Sequence, residues 1–166
     1  MNDIFKRRSI REYKKQPVPD KMITKIIKAG MAAPSAGNEQ PWHFIVITDS
    51  DIKREIMEVH SYADMLIHAP ASILVCGNTK LAKHGEFWVQ DCSAATENML
   101  LMITSLGLGG VWLGVYPREK RVQGLKDIFD LPDNIIPFSL ISFGYPNNKK
   151  REHNRYLKDR VHYNKW

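Results

Sequence analysis

The sequence predicts a sandwich of helices packed on a sheet, of α/β or α+β class, formed as one domain over residues 1–166. Three observations carry that expectation. Four short apolar segments have the length and the β-branched or aromatic content of strands. Four or five helical patterns alternate with those segments. The chain of 166 residues, 43% of them hydrophobic, is about the length of one domain and large enough to fill a core without disulfides.

Residues 3–8 suit a short helical turn. Pro17, Pro19 and Asp20 then precede an amphipathic helix in which Met22, Ile23, Ile26, Ile27 and Met31 recur at helical spacing, with Lys21, Lys25 and Lys28 opposite. Pro19 suits a first turn, where its missing N–H costs little, and Pro34 stops the helix. Residues 42–48 (WHFIVIT) read as a strand and 49–60 as a helix with Ile52, Ile56 and Val59 inward. The second strand, ASILVCG at 71–77, lacks polar alternation and is expected to be buried on both faces. A long helix runs from about Glu86 to Leu106. Its stretch Met99 to Ile103 has no clear polar face, so it is expected to be buried all round, in a chain this small by a partner chain. GGVWLGV at 109–115 is the third strand, and a helix from about Arg118 to Phe129 buries Val122, Leu125, Ile128 and Phe129 before Pro132. PFSLISFG at 137–144 is the fourth strand. The alternation would ordinarily argue for a parallel sheet, but the connection lengths leave strand order open. The tail is polar and basic yet carries Tyr145, Tyr156, Val161, Tyr163 and Trp166, a composition suited to an arm that docks onto something.

Several classes are excluded. No segment approaches the ~20 apolar residues of a membrane span, and residues 1–13 lack a signal-peptide core. Cys76 and Cys92 lack metal-ligand spacing and read as buried free thiols, as in a reducing cytoplasm. The six histidines, His60 and His84 among them, show no ligand spacing, so no metal is expected. Ser35 lacks the G-x-S-x-G context of a nucleophile. Asp91 and Glu97, six apart on one helix, are not a carboxylate pair on one face. In GLGGVWLG, 107–114, the third glycine of a dinucleotide fingerprint would fall on Trp112, and the glycines precede a strand instead of following one. Gly107 reads as a helix C-cap, whereas Gly114 would let a backbone or a flat ligand approach closely. With no acid–base or nucleophilic machinery in evidence, an enzyme of this sequence would rely on a cofactor.

Charge divides unevenly. Residues 1–28 carry a net +6, residues 147–166 a net +5 and the middle −5. If the ends meet, they form a cationic site suited to a phosphate. RRSIR, 7–11, read as extended, places Arg7, Ser9 and Arg11 on one side, alternating with Arg8 and Ile10. Lys149 and Arg151 alternate likewise. Residues 33–47, APSAGNEQPWHFIVI, crowd hydrogen-bonding groups between Pro34 and Pro41 immediately before a strand, as a rigid loop holding a flat polar ligand would.

Taken in order, RRSIR, APSAGNEQPWHF, GLGGVWLG and GYPNNKKR resemble the FMN-dependent nitroreductase family over nearly the whole chain, and PSAGNEQPW is the specific part. The resemblance implies an α+β sandwich with a central mixed or antiparallel sheet flanked by helices. It further implies a homodimer that exchanges a C-terminal arm, 146–166, with FMN at the interface. Hydride would pass from NADH or NADPH through FMN to a small-molecule acceptor such as a nitroaromatic or quinone. By position, Arg7, Arg8, Ser9 and Arg11 would hold the phosphate, ribityl chain and pyrimidine edge, with Lys149 and Arg151 joining Arg7 at the phosphate. Pro34, Ser35, Ala36, Asn38 and Gln40 resemble the loop that reaches across from the other subunit, and Leu113 and Gly114 the strand against the ring. Arg11 would stabilise the charge gathered on reduction. The chain lacks both the flavin-contacting lysine and the cavity-covering helices of longer members, which implies a more open acceptor site. Two other readings stand beside this one: a flavin-binding protein without turnover, and a basic nucleic-acid-binding protein. The acidic middle and the phosphate-sized cationic clusters argue against the second.

Overall fold

The computed structural model describes residues 3–148 and 154–166. In chain order the elements are α1 (Asp3–Lys6), α2 (Asp20–Met31), β1 (Trp42–Ile47), α3 (Ser50–Val59), β2 (Ala71–Asn78), α4 (Trp88–Ser105), β3 (Gly109–Gly114), α5 (Glu119–Ile128) and β4 (Ile135–Gly144). Each local signal lies where side-chain chemistry puts it. Asp49 caps α3, its Oδ1 accepting from the N–H groups of Asp51 at 2.7 Å and Ile52 at 3.1 Å. Those bonds hold the Asp49 carboxyl below its ordinary value. Gly107, at φ +74°, ends α4. Its N–H returns to the Thr104 carbonyl and that of Leu108 to Ile103, a cap that satisfies two otherwise unpaired carbonyls.

The class is α+β, with strand order β1-β2-β4-β3 and every pairing antiparallel. Alternation of strands and helices therefore does not produce a parallel sheet here. The connection through α3 leaves and returns at one end, placing Ile47 opposite Ser72. The connection through α5 does the same, placing Gly114 opposite Ser139. Only the path through α4, about 27 Å of helix, carries the chain the length of the sheet, and it links β2 to β3, which run parallel with β4 between them.

Both faces of the sheet are covered. Ile73, Val75, Ile141 and Phe143 pack beneath α2 and α4, and Leu74, Cys76, Leu113 and Leu140 beneath α3 and α5. β2 is buried on both faces, as its lack of polar alternation predicts. The second half of α4 is covered only in part within this chain. Met99, Leu100 and Ile103 are buried, but Leu101 and Met102 are only half-buried and line an open groove with Ile4, Ala29 and Ala32.

The two basic ends meet. Ser9 pairs with Gly110 and Tyr13 with Pro146. Lys14 N–H bonds the Tyr145 carbonyl at 2.9 Å, and Asn147 N–H bonds that of Glu12 at 3.0 Å. The buried Tyr13 hydroxyl lies 2.7 Å from the Ile10 carbonyl and accepts from the Ser142 hydroxyl at 3.1 Å. Burial pushes its pKa up to about 12. Beyond the join, residues 154–166 are exposed throughout, with Tyr163 at 84% and Trp166 fully so. Among the described residues no helix is long and apolar enough to cross a membrane, and Cys76 and Cys92 are free and buried.

Leu140, fully buried on the strand that joins both halves of the sheet, offers a test of this core. Leu140→Ala should cost about 2–5 kcal/mol, read from a urea transition. A loss below about 1 kcal/mol would mean that the packing described here is wrong.

Candidate active site

β3 is an edge strand, and one hydrogen bond sets which of its groups face outward. Ile10 N–H donates to the Gly110 carbonyl at 3.0 Å, so Gly110 points away from β4. Backbone direction alternates along a strand. The N–H and C=O of Trp112 and Gly114 therefore also face outward, while those of Leu113 are spent on β4. Two donors meet the outward carbonyl of Gly114: His60 Nε2 at 3.0 Å and Arg121 Nη1 at 2.7 Å. A Cβ added at Gly114 would meet nothing within 4 Å, so this glycine leaves an open surface.

Because a carbonyl can only accept, His60 carries its proton on Nε2, and its Nδ1 accepts from Tyr62 N–H at 3.3 Å. His60 is 1% exposed. Burial, then the Arg121 charge, push its pKa below the ordinary value, so the ring is neutral near pH 7. Arg121 also lies over the Tyr62 ring, 5.4 Å from its centroid. These residues and Arg11 line one cavity of about 410 Å³ with Trp112, Leu113 and Gly114.

A second cavity, of about 660 Å³, is lined by Ile4, Phe5, Arg7, Arg8 and the tail residues Asn154, Arg155 and Tyr156. Arg7 and Arg8 share this cavity instead of pointing to opposite sides. Arg7 N–H still donates to the Asp3 carbonyl at 2.9 Å, so the turn of α1 runs through residue 7 and extended alternation begins only after it. Arg7 Nε pairs with Glu97 at 3.4 Å, which leaves both terminal nitrogens of the guanidinium for other contacts. Partial burial raises the Glu97 carboxyl, and Arg7 only partly offsets that. Ile10 is buried and Ser9 sits at the bridge to β3, so this run ties the two cavities together.

The loop at 34–40 is built as a strained, internally bonded unit. Gly37, Asn38 and Gln40 all have φ between +50° and +56°, a conformation that costs energy for Asn and Gln. Ser35 Oγ accepts from Gln40 N–H at 3.0 Å, and Asn38 Oδ1 from the Gln40 amide at 3.1 Å. Ala36 N–H donates to Asp91 Oδ1 at 3.0 Å. Asp91 is 5% exposed, and its other oxygen, Oδ2, is buried without a hydrogen-bond partner. Gly37 lies against the His84 ring, where a Cβ would come within 2.5 Å. His84 Nδ1 bonds Glu39 Oε1 at 2.7 Å. Desolvation pulls the Glu39 carboxyl upward, but its hydrogen bonds with His84 outweigh that and hold it low. Residues 34–40 line neither cavity described above.

The Nitroreductase family model matches residues 4–61 and 56–145. A relative from Archaeoglobus fulgidus, provisionally named an NADH dehydrogenase/NAD(P)H nitroreductase, is 50% identical over 98% of this chain and 96% of its own length. The chain belongs to the nitroreductase family. A solved structure from Clostridium acetobutylicum, provisionally named an NADH oxidase, superposes with a TM-score of 0.96 at 44% identity, covering 99% of both chains. An FMN-dependent nitroreductase from Clostridium difficile R20291 superposes with a TM-score of 0.91 at 27% identity, again covering 99% of both chains.

Within this nitroreductase-family chain, the residues singled out by sequence fall into three groups. Arg11, Leu113 and Gly114 share one cavity, Arg7 and Arg8 the other, and Ser9 joins them. Pro34, Ser35, Ala36, Asn38 and Gln40 stand apart in their own loop. Lys149 and Arg151 lie outside the described residues. Sequence reasoning passed over His60, Arg121, Asp91, Glu97 and His84. The first four each bond a residue it had chosen, and His84 bonds Glu39 and packs against Gly37 in the same loop as the chosen residues. One signal was available for Asp91. It sits three residues after Trp88 in the buried stripe of α4, which continues through Cys92, Ala95, Met99 and Ile103, and a carboxylate in such a stripe needs a partner.

Two measurements test this geometry. Asp91→Ala should speed amide exchange at residues 36–40 by roughly tenfold or more, as loss of a hydrogen bond to a charged group (about 1.5–3 kcal/mol) implies; unchanged exchange would show that Asp91 does not hold the loop. His60 tests the buried imidazole. The unfolded chain protonates this ring near pH 6.5, whereas the folded chain resists. The stability contributed is therefore complete above about pH 6.5 and is lost as pH falls towards the depressed native value. Tm should drop between pH 7.5 and 5.5, and drop less in His60→Gln. Equal drops would refute the assignment.

Proposed function

We propose that this nitroreductase-family protein is a homodimeric, FMN-dependent NAD(P)H oxidoreductase of the cytoplasm, formed as one domain over residues 1–166. The observation that carries the reading is the outward N–H of Gly114 beside Arg11, on a strand edge kept open by the missing Cβ. A flat ring with acceptor atoms along its edge fits that surface. Bound FMN would supply the chemistry, accepting hydride from NAD(P)H and, after the nicotinamide leaves, delivering it to a nitroaromatic, quinone or similar acceptor.

The chain's own residues would bind and orient. Arg7, Arg8 and Ser9, with Lys149 and Arg151, would hold the phosphate and ribityl chain, using the forked donors that suit phosphate oxygens. About 10 Å of backbone separates Arg8 from Arg11, a span that a ribityl phosphate can bridge. Arg11 would face the pyrimidine edge and Gly114 the ring. Of the two strand residues, Gly114 rather than Leu113 has an N–H available. Pro34, Ser35, Ala36, Asn38 and Gln40 would come from the partner subunit. Since Asp91 holds Ala36 N–H, the loop would meet the ring through other polar groups, among them the Asn38 and Gln40 side chains and the Ser35 hydroxyl. The half-buried Leu101 and Met102 and the exposed aromatics of 154–166 support a partner that covers α4 and receives the arm, 146–166.

The test is visible absorption after incubation with FMN and desalting, before and after anaerobic NADH and NADPH. Retained flavin bands that bleach support the reading. Retained bands that no nicotinamide bleaches would favour flavin binding without turnover, and a colourless protein would end the flavin assignment. Arg11→Ala should lower the potential of the bound flavin by about 30 mV, the equivalent of a tenfold change in a two-electron equilibrium. An unchanged potential would remove that role from Arg11.

A further inference from the structure

Glycine has more backbone freedom than any other residue, and Gly114 ends its strand, where the ladder restrains it least. Its geometry is nonetheless closed off by a ring of interactions. His60 and Arg121 both donate to its carbonyl, Tyr62 N–H donates to the other nitrogen of His60, and Arg121 stacks on Tyr62. The two donors come from different elements. His60 follows the last turn of α3, its N–H bonded to the Ile56 carbonyl at 3.0 Å, and Arg121 lies in the first turn of α5. Those helices pack on each other and on the sheet face beneath, so the grip is anchored in the core. A neutral imidazole and a cation together fill both lone pairs of this carbonyl, where a single donor would already satisfy it.

We propose that His60 and Arg121 are positioning residues that hold the Gly114 backbone, so that its N–H meets the reactive nitrogen edge of the flavin in one fixed direction. The inference rests on the FMN reading above. Preorganised donors act on a bound group without reorganisation cost. The oxidised ring offers an acceptor lone pair at its hydride-exchanging nitrogen, whereas the reduced ring carries a hydrogen there. A fixed donor therefore favours the oxidised form. Loosening it weakens binding of oxidised FMN more than of reduced FMN and makes the potential more positive. Loss of a nearby cation would shift the potential the other way, which separates positioning from simple charge.

Two variants leave the charge unchanged: His60→Leu, because the ring is neutral, and Arg121→Lys, because lysine keeps the cation but not the forked reach. Each should weaken oxidised FMN about tenfold by fluorescence titration. Each should also move the potential of the bound flavin about 30 mV positive, the same tenfold factor in a two-electron equilibrium. Arg121 is half-buried at the surface, so its variant keeps the test available if the buried His60 substitution does not fold. Variants that lower Tm but leave potential and FMN affinity at wild-type values overturn the proposal and make the ring merely structural. A negative shift also overturns it, in favour of charge alone. Wild-type protein that takes up no FMN overturns the flavin reading itself and this inference with it, an outcome visible before any variant is made.

Discussion

The bond from Ile10 N–H to the Gly110 carbonyl governs the geometry of the candidate site. It attaches the N-terminal run to the edge of the sheet and, because strand direction alternates with period two, it sets the phase of β3 as far as Gly114. A slip of one residue would turn the Gly114 N–H into the ladder and present Leu113 instead. The same attachment brings Arg11 level with the end of β3, while Arg7 and Arg8 stay at the turn of α1. Tyr13 and Ser142 lock the run in place by a buried hydrogen bond, so the phase is held at two points. The basic character of both chain ends acquires a location through this contact, since residues 12–14 pair with 145–147 immediately before the basic tail.

Energetically, the structure separates a conventional core from a costly rim. β2 and β4 bury apolar side chains on both faces; of their polar members, Ser139 pairs with Thr96 at 2.9 Å and Ser142 with Tyr13 at 3.1 Å, while the buried Ser72 hydroxyl has no hydrogen-bond partner. The loop at 34–40 breaks several local preferences at once. Asn38 and Gln40 adopt positive φ, Asp91 is buried with one oxygen unpartnered, and Gly37 is pressed against an imidazole. Such departures are retained where a surface must be presented in a particular shape. The Asp91 bond to Ala36 fixes the loop to α4 from below, and the Glu39–His84 pair ties it to the segment before α4. Both anchors lie on the first half of that helix or just before it, whereas Glu97 reaches Arg7 from further along. One helix thus steadies two of the three groups of candidate residues.

The sequence by itself determined the elements. Period 3.6 from Met22 to Met31, the lack of polar alternation in 71–77, Pro34 and Pro132 as stops and Gly107 as a cap are local facts, and local chemistry enforces them. The motifs that led to the family were equally legible, because backbone-near residues such as RRSIR and PSAGNEQPW act over a few positions. Strand direction was not legible in the periodicity, although the family resemblance implied a mixed or antiparallel sheet. Alternation of helix and strand is compatible with either sense, and only the lengths over which α3, α4 and α5 travel and return decide it.

Tertiary structure alone decided which groups meet. His60, just past the end of α3, and Arg121, in the first turn of α5, are 61 positions apart, and nothing in their neighbourhoods marks a shared carbonyl. Arg7 and Arg8 alternate in the sequence pattern but share a cavity, because one helical hydrogen bond persists through residue 7. Leu101 and Met102 lie in the stretch expected to be buried by a partner chain, and within this chain they are half-buried, since burial depends on what lies across from a face and not on the face itself. Spacing along a chain sets direction within an element. Contacts between elements depend on packing distances that no local pattern contains.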